Sequence, residues 1–387
     1  MSQPRDVFVV SAARTAIGTF GGMLKDTPIA DLATLAVKEA LGRSGVATET
    51  VGHLAMGTVI VTEPRDVYLS RIAAVNAGLP KETPAFNVNR LCGSGLQAIV
   101  SAAQSILLGD CDVAVGAGCE VMSRGAYLVP SARFGARMGD SQMLDLMVGA
   151  LHDPFHKIHM GITAENVAEQ FGISRSMMDE LATESHRRAA AAIAAGRFKD
   201  QIVPVMIKTR KGDVAFDTDE HVKADTTMET LGKMRPAFKK DGSVTAGNAS
   251  GINDAASAVV LAAGDAVKAQ NLKPLARLVG YAHTGVEPTI MGIGPVSATR
   301  KVLAKVGLKV SDLDVIESNE AFAAQACAVV KELQLDPAKV NPNGSGISLG
   351  HPIGATGAII TTKAIYELHR TGGRYALVTM CIGGGQG

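Results

Sequence analysis

The sequence predicts an α/β protein made of two similar halves with an inserted lobe. Strand-length apolar runs alternate with helical runs at both ends of the chain, which points to buried sheets flanked by helices. Segments of the two ends recur in one order. From 120 to 246 the character changes: Met, Arg, His and Lys become frequent and helical stretches are joined by irregular ones.

The elements follow in order. Val7–Val10 reads as a buried strand. Ile29–Leu41 reads as a helix, with Leu32, Leu35, Ala36 and Ala40 on one face. Val51–Val61 carries the next strand, and Arg71–Ala77 a short helix. Phe86–Val88 is a short strand that stops just before Cys92. Leu96, Ile99, Val100, Ala103 and Leu107 fall at i, i+3, i+4, i+7 and i+11, the mark of a buried helix. Asp112–Gly116 is again strand. Inside the lobe, Ala164–Phe171 and Met177–Gly196 are helical. Alternation resumes with strand Ala255–Leu261, then strand Leu313–Ser318, helix Ala358–Leu368 and strand Tyr375–Met380.

The repeat is weak but ordered. Leu41-Gly42-Arg43-Ser44-Gly45-Val46 compares with Leu303-Ala304-Lys305-Val306-Gly307-Leu308, and a strand follows each. Val9 to Thr15 compares loosely with Leu278 to Thr284, and Val113 to Gly116 with Tyr375 to Val378. This order suggests duplicated βαβ-type halves, although unrelated α/β chains share much of the pattern.

Composition excludes several classes. The chain has 387 residues, of which 47% are apolar, with 42 Gly and no Trp. A formal net charge of +1 provides no global field for nucleic acid or an anionic membrane. The five cysteines, Cys92, Cys111, Cys119, Cys327 and Cys381, form no CxxC pairs, which argues against a disulfide framework or a zinc site. Reduced thiols and the absence of a signal-peptide pattern predict a cytoplasmic protein. No membrane span is expected, since no uncharged run reaches about 18 apolar residues.

Three stretches place reactive side chains among glycines: Asn89 to Gly95 around Cys92, Leu349 to Gly354 around His351, and Met380 to Gly385 around Cys381. Cys92 lies between a strand and a helix, where the helix dipole is expected to lower a thiol's pKa. The other reading is an inert buried cysteine. His351, on a loop that feeds a helix, is a candidate base for a thiol. Cys381 ends a strand beside bare backbone N–H groups suited to a developing oxyanion. Asn319-Glu320-Ala321-Phe322 ends the strand before it, as either a site or a helix cap. His159-Met160-Gly161 and Ala246 to Gly251 are polar insertions in apolar surroundings, and on spacing alone each reads as a turn or core contact.

With these residues laid out, the chain closely resembles the thiolases, the acetyl-CoA acetyltransferases and β-ketothiolases. The resemblance rests on Cys-Gly-Ser-Gly at 92–95, Asn-Glu-Ala-Phe at 319–322, Gly-His-Pro at 350–352 and Cys-Ile-Gly-Gly-Gly at 381–385, in the family's order and spacing. It implies a five-layered αβαβα fold with an inserted loop domain. The corresponding division is 1–119 with 247–270 as the N-terminal half, 120–246 as the loop domain and 271–387 as the C-terminal half. It implies a homotetramer, a dimer of dimers, with Arg124 to Gly139 as the tetramer-forming loop. Coenzyme A thioesters would be substrates, with no permanently bound cofactor and no metal.

The resemblance also implies roles. Cys92 would take the acyl group, His351 would be its base, and Cys381 would move the α-proton of the second substrate. Asn319 would hold a water that stabilises the enolate together with His351. The N–H groups of Cys92 and Gly383 would bind the tetrahedral oxyanion. Ser250 and Ala249 would meet the pantetheine arm, and His159, Met160, Phe322 and Met291 would line the acyl pocket. Asp153 to Met160 looks most like bacterial ketothiolases that also accept slightly longer substrates. Two departures stand out. Lys223 occupies a position near the nucleotide where the family commonly has Arg, which Lys does not replace in a bidentate or stacked contact. The family also continues past the glycine run into a last short strand, so a sheet position is expected to be open here. A ketoacyl synthase on the same fold would use one Cys with two His, or with His and Asn, and Cys381 speaks against it. A non-catalytic acyl-CoA carrier would have lost a thiol or the imidazole, and all three are present.

Overall fold

The computed structural model describes residues 5–387. Its first sheet is built from β1 (Val7–Arg14), β2 (Val51–Gly57), β3 (Ala85–Val88), β4 (Val113–Val121) and β5 (Asn253–Ala263). Laterally the strands run β1-β5-β4-β2-β3, with Ala276–Arg277 outside β1. β5 is antiparallel to both β1 and β4, while β4, β2 and β3 are mutually parallel. The sheet is therefore mixed: the chain leaves after β4 for the lobe and returns through β5 in the opposite direction. Every residue of β4 and β5 is buried, which is why both read as largely apolar runs.

Five layers stack on this sheet. On its outer face lie α1 (Ile29–Ser44) and α2 (Leu69–Asn76). On its inner face lie α3 (Ser94–Leu108) and α8 (Thr356–Thr371). Beyond α8 lie the parallel strands β6 (Val315–Ser318) and β7 (Ala376–Thr379). The last layer is α6 (Gly294–Val306) and α7 (Ala323–Leu333), whose Val296, Leu303, Val329 and Leu333 pack with Ile316 and Leu377. The lobe adds α4 (Met160–Phe171), α5 (Arg175–Ala194) and the hairpin Val205–Thr209/Gly212–Phe216. A buried fork from Arg14 joins lobe to sheet: Nη1 and Nη2 donate to the Asp219 carboxylate at 2.7 and 2.9 Å, and Nε donates to Gln201 Oε1 at 2.8 Å.

The second half repeats the arrangement of the first. β7, β6 and an isolated parallel bridge from Ile316 to Val340 follow the order and direction of β4, β2 and β3. An apolar cavity of about 570 Å³ is bounded by Leu278–His283, β7 and side chains of α6 and α8.

Three expectations need correction. The strand from Val51 stops at Gly57, because the N–H groups of Val59 and Ile60 turn inward to Glu120. The segment Leu278–Thr284, matched to β1, is not strand. One run, Leu91–Leu108, is apolar enough and long enough to span a membrane, with mean hydropathy 1.4 over 18 residues. Its residues from Ser94 form α3, which lies between the sheets as a core helix.

Close packing of the two halves depends on missing side chains. A Cβ on Gly118 of β4 would stand 2.6 Å from the Gly354 carbonyl oxygen and 2.9 Å from Ala355 Cα. Backbone atoms cannot step aside as a flexible side chain does. Gly118→Ala should therefore lower unfolding stability by about 1–3 kcal/mol in a denaturant titration. An unchanged midpoint would contradict this packing.

Candidate active site

Cys92 is presented by a strained, braced turn. Leu91 before it has φ 46°, a left-handed conformation unusual for a branched side chain. Ser94 Oγ accepts the Arg90 N–H at 2.8 Å and donates to the Leu91 carbonyl at 2.7 Å, while Asn89 Oδ1 accepts the Leu91 N–H at 3.0 Å. α3 begins two residues later, at Ser94.

The chain's last segment closes over this turn. The N–H groups of Gly383 and of Cys92 itself lie near enough to the Cys92 sulfur to favour its thiolate. A Cβ on Gly93 would meet Ile382 Cδ1 at 2.5 Å, and one on Gly383 would meet Leu91 Cδ1 at 3.1 Å and Met160 Cε at 3.3 Å. Cys381 is fully buried and near enough for a charge on Cys92 to raise its pKa. The thiols from the first quarter and the end of the sequence therefore share one pocket.

His351 and Asn319 complete it. The Asn319 N–H donates to the Thr379 carbonyl at 3.0 Å, two residues before Cys381. Asn319 Nδ2 lies 3.4 and 3.5 Å from the two ring nitrogens of His351. Equal and long distances put it in line with neither nitrogen. Asn319 Oδ1 is buried with no hydrogen-bond partner among the described residues. His351 is held by its backbone N–H, which donates to Asn253 Oδ1 at 2.9 Å, and by its ring Nδ1, 2.7 Å from Thr356 Oγ1.

The apolar wall is contiguous with Cys381. Met160, Met291 and Phe322 are buried in one cluster with it, and Ala249 packs against that cluster. His159 stacks on Phe238 with ring centroids 4.7 Å apart, and Phe238 meets Phe322 edge-on at 6.1 Å. Ala249 pairs with Phe322, and the Ser250 N–H donates to the Ala321 carbonyl at 3.0 Å. Lys223 stands apart: it is exposed, its backbone N–H donates to His186 Nδ1 at 3.1 Å, and its charge adds to the burial that depresses the pKa of His186 and His221.

Two residues escaped sequence reading. Glu120, at the end of β4, is buried without a cation. Its carboxylate accepts N–H bonds from Ile60 and Val59, both at 3.1 Å, and from Gly354 at 2.8 Å, so it ties the His351 loop to the sheet. Burial lifts its pKa to about 8 against those donors. An acidic residue next to the end of an otherwise apolar nine-residue strand was the available signal, but it reads equally well as the start of the lobe. Thr356 was missed because a threonine at a helix start is ordinary.

Electrostatics overturn the expectation of a lowered Cys92 pKa. Burial is the largest influence and pushes the thiol up to about 11, more than the two N–H donors bring it down. Cys381 is raised further by burial and by Cys92. Burial alone lowers His351 to about 4. At neutral pH the resting pocket holds two neutral thiols and a neutral imidazole.

Comparison with known proteins accords with this geometry. The thiolase N-terminal domain model matches residues 7–265 and the C-terminal domain model residues 272–387. The chain belongs to the thiolase family. This thiolase is 68% identical over 384 residues to beta-ketothiolase BktB of Cupriavidus necator, covering 99% of this chain and 98% of that protein. It is 51% identical to an acetyl-CoA acetyltransferase of Chromobacterium violaceum, with the same coverage. Its fold matches human mitochondrial 3-ketoacyl-CoA thiolase solved in complex with CoA, with TM-score 0.96, 46% identity and coverage of 99% and 96%.

The raised thiol and lowered imidazole set the pH behaviour of the free thiolase. Alkylation of Cys92 by iodoacetamide, followed by peptide mass spectrometry, should keep accelerating with pH from 7 toward 10. A rate that levels off below pH 7 would show a resting thiolate–imidazolium pair instead.

Proposed function

We propose that the Cys92, His351, Cys381 and Asn319 constellation carries out a reversible, ping-pong Claisen condensation. The chain is a β-ketothiolase, an acyl-CoA C-acyltransferase. It joins acetyl-CoA to a second short acyl-CoA, giving a 3-ketoacyl-CoA and CoA. The observation that supports the residue assignment is the close packing of the Leu91–Gly93 turn, which holds Cys92, against Ile382 and Gly383, which follow Cys381.

In the first half-reaction the Cys92 proton passes to His351 and the sulfur attacks the thioester carbonyl. The N–H groups of Cys92 and Gly383 receive the oxyanion, which develops beside the sulfur they lie near. Collapse expels CoA, which takes the Cys381 proton, leaving acyl-Cys92, a Cys381 thiolate and an imidazolium. In the second half-reaction Cys381 removes an α-proton from acetyl-CoA. A thiol raised this far by burial gives a strong base, which a weak carbon acid needs. The enolate oxygen faces the imidazolium and Asn319, whose side-chain amide lies beside the His351 ring and would hold a bridging water. The enolate carbon attacks acyl-Cys92, and the departing Cys92 thiolate regains its proton from His351.

Further assignments belong to the same reading. Met160, Met291, Phe322 and His159 form the acyl wall. Ser250 and Ala249 border the pantetheine arm, and Lys223 lies toward the CoA nucleotide. Supporting this last placement is its exposed position beside His186 and His221. CoA thioesters are substrates and no cofactor stays bound. The division at 119/120, 246/247 and 270/271 accompanies these roles, supported by the pairing of β5 with β1 and β4. We place the enzyme in the cytoplasm as a homotetramer. Tyr127, Leu128, Phe134 and Met138 support that assembly, since they expose 49–99% of their surface along the Arg124–Gly139 loop.

Cys92→Ala should retain no radiolabelled acyl group from acetyl-CoA; label left on that variant would refute the nucleophile. Cys381→Ser should still acylate, yet condense about 10²–10⁴-fold more slowly. Condensation at the wild-type rate would remove Cys381 from the proton transfer. Thiolysis rates with acetoacetyl-, 3-ketovaleryl- and 3-ketohexanoyl-CoA would rank the acyl wall.

A further inference from the structure

We propose that Thr356 is a positioning residue: its hydroxyl fixes the tautomer of His351, keeping the proton on Nδ1 and the lone pair on Nε2. This rests on the role given above to His351. A neutral imidazole carries one ring proton, and only the nitrogen without it can take the proton of Cys92. Which nitrogen that is depends on the hydrogen bond made by the other.

Thr356 opens α8, five residues after His351, and both side chains are buried. Its hydroxyl donates to the Pro352 carbonyl at 2.9 Å. A hydroxyl has one proton, so with it committed to Pro352 the oxygen meets the His351 ring as an acceptor. Nδ1 lies 2.7 Å away and must donate. Among the described residues the other polar group near the ring is Asn319 Nδ2, 3.4 and 3.5 Å from its nitrogens and too far and off-line to compete. The chain Nδ1–H to Thr356 Oγ1 to Pro352 O thus leaves Nε2 unprotonated.

The consequence reaches both half-reactions. When Nε2 accepts the Cys92 proton, Nδ1–H keeps its bond to Thr356 and the ring need not turn. The same Nε2 then bears a proton and serves as a donor to the enolate oxygen. One fixed ring is base first and oxyanion donor second.

Histidine-labelled enzyme gives a direct test, because the two tautomers differ in the ¹⁵N shifts of the ring. The signals of His351, one of nine histidines, are assigned by their loss in His351→Asn. The wild type should show Nδ1 protonated and Nε2 bare, Thr356→Ser the same, and Thr356→Val a mixture of tautomers or the reverse one. Single-turnover acylation of Cys92 should fall about tenfold to a hundredfold in Thr356→Val and recover in Thr356→Ser, with KM for acetyl-CoA held in both. A wild-type proton on Nε2 overturns the proposal even if the valine variant does not fold. So does a folded Thr356→Val that acylates at the full rate while His351→Asn is inactive. Full-rate acylation by His351→Asn would instead remove the base reading, and this inference with it.

Discussion

Bare backbone where the two halves touch is the constraint on which the rest of the site depends. The turn that presents Cys92, the end of β4 and the loop that carries His351 come together at glycines. A Cβ on Gly95 would meet Ala358 N at 2.9 Å and the Gly354 carbonyl oxygen at 3.0 Å, and Gly118 abuts the same loop. With side chains there, α3 and α8 could not approach, and the imidazole loop would be lifted from the sheet. Glu120 then pins that loop through the Gly354 N–H, so one buried carboxylate and two glycines set where His351 stands.

The same burial decides the chemistry. Desolvation favours the neutral form of every ionisable group, raising both thiols and lowering the imidazole. A resting thiolate at Cys92 would be the simpler design for a nucleophile, and the structure does not favour it. Instead the proton moves when the thioester arrives, and the charges that form are met by N–H groups already in place. A nucleophile made on demand suits a two-step reaction in which each sulfur holds negative charge in turn.

Much of this was legible in the sequence because glycine and periodicity leave strong marks. The buried helix after Cys92, the strands ending near Asn319 and Cys381, and the duplicated order all emerged from spacing alone. Electrostatics were less legible. A cysteine before a helix suggested dipole stabilisation, but its desolvation comes from Ile60, Met122 and Ile353, segments distant in sequence. The contribution of β5 was also hidden, since a buried apolar strand looks the same whether it runs parallel or antiparallel. Glu120 and Thr356 act through hydrogen bonds to groups that only the fold brings near, so residue type alone could not single them out.

The central claim is that Cys92, rather than its buried neighbour Cys381, carries the acyl group between the two substrates. The most direct test is to mix the enzyme with acetyl-CoA, quench in acid within one turnover, digest, and locate the added acetyl group by peptide mass spectrometry. The account predicts acetylation confined to the peptide containing Cys92. Acetyl found on Cys381, or on no cysteine at all, would contradict it.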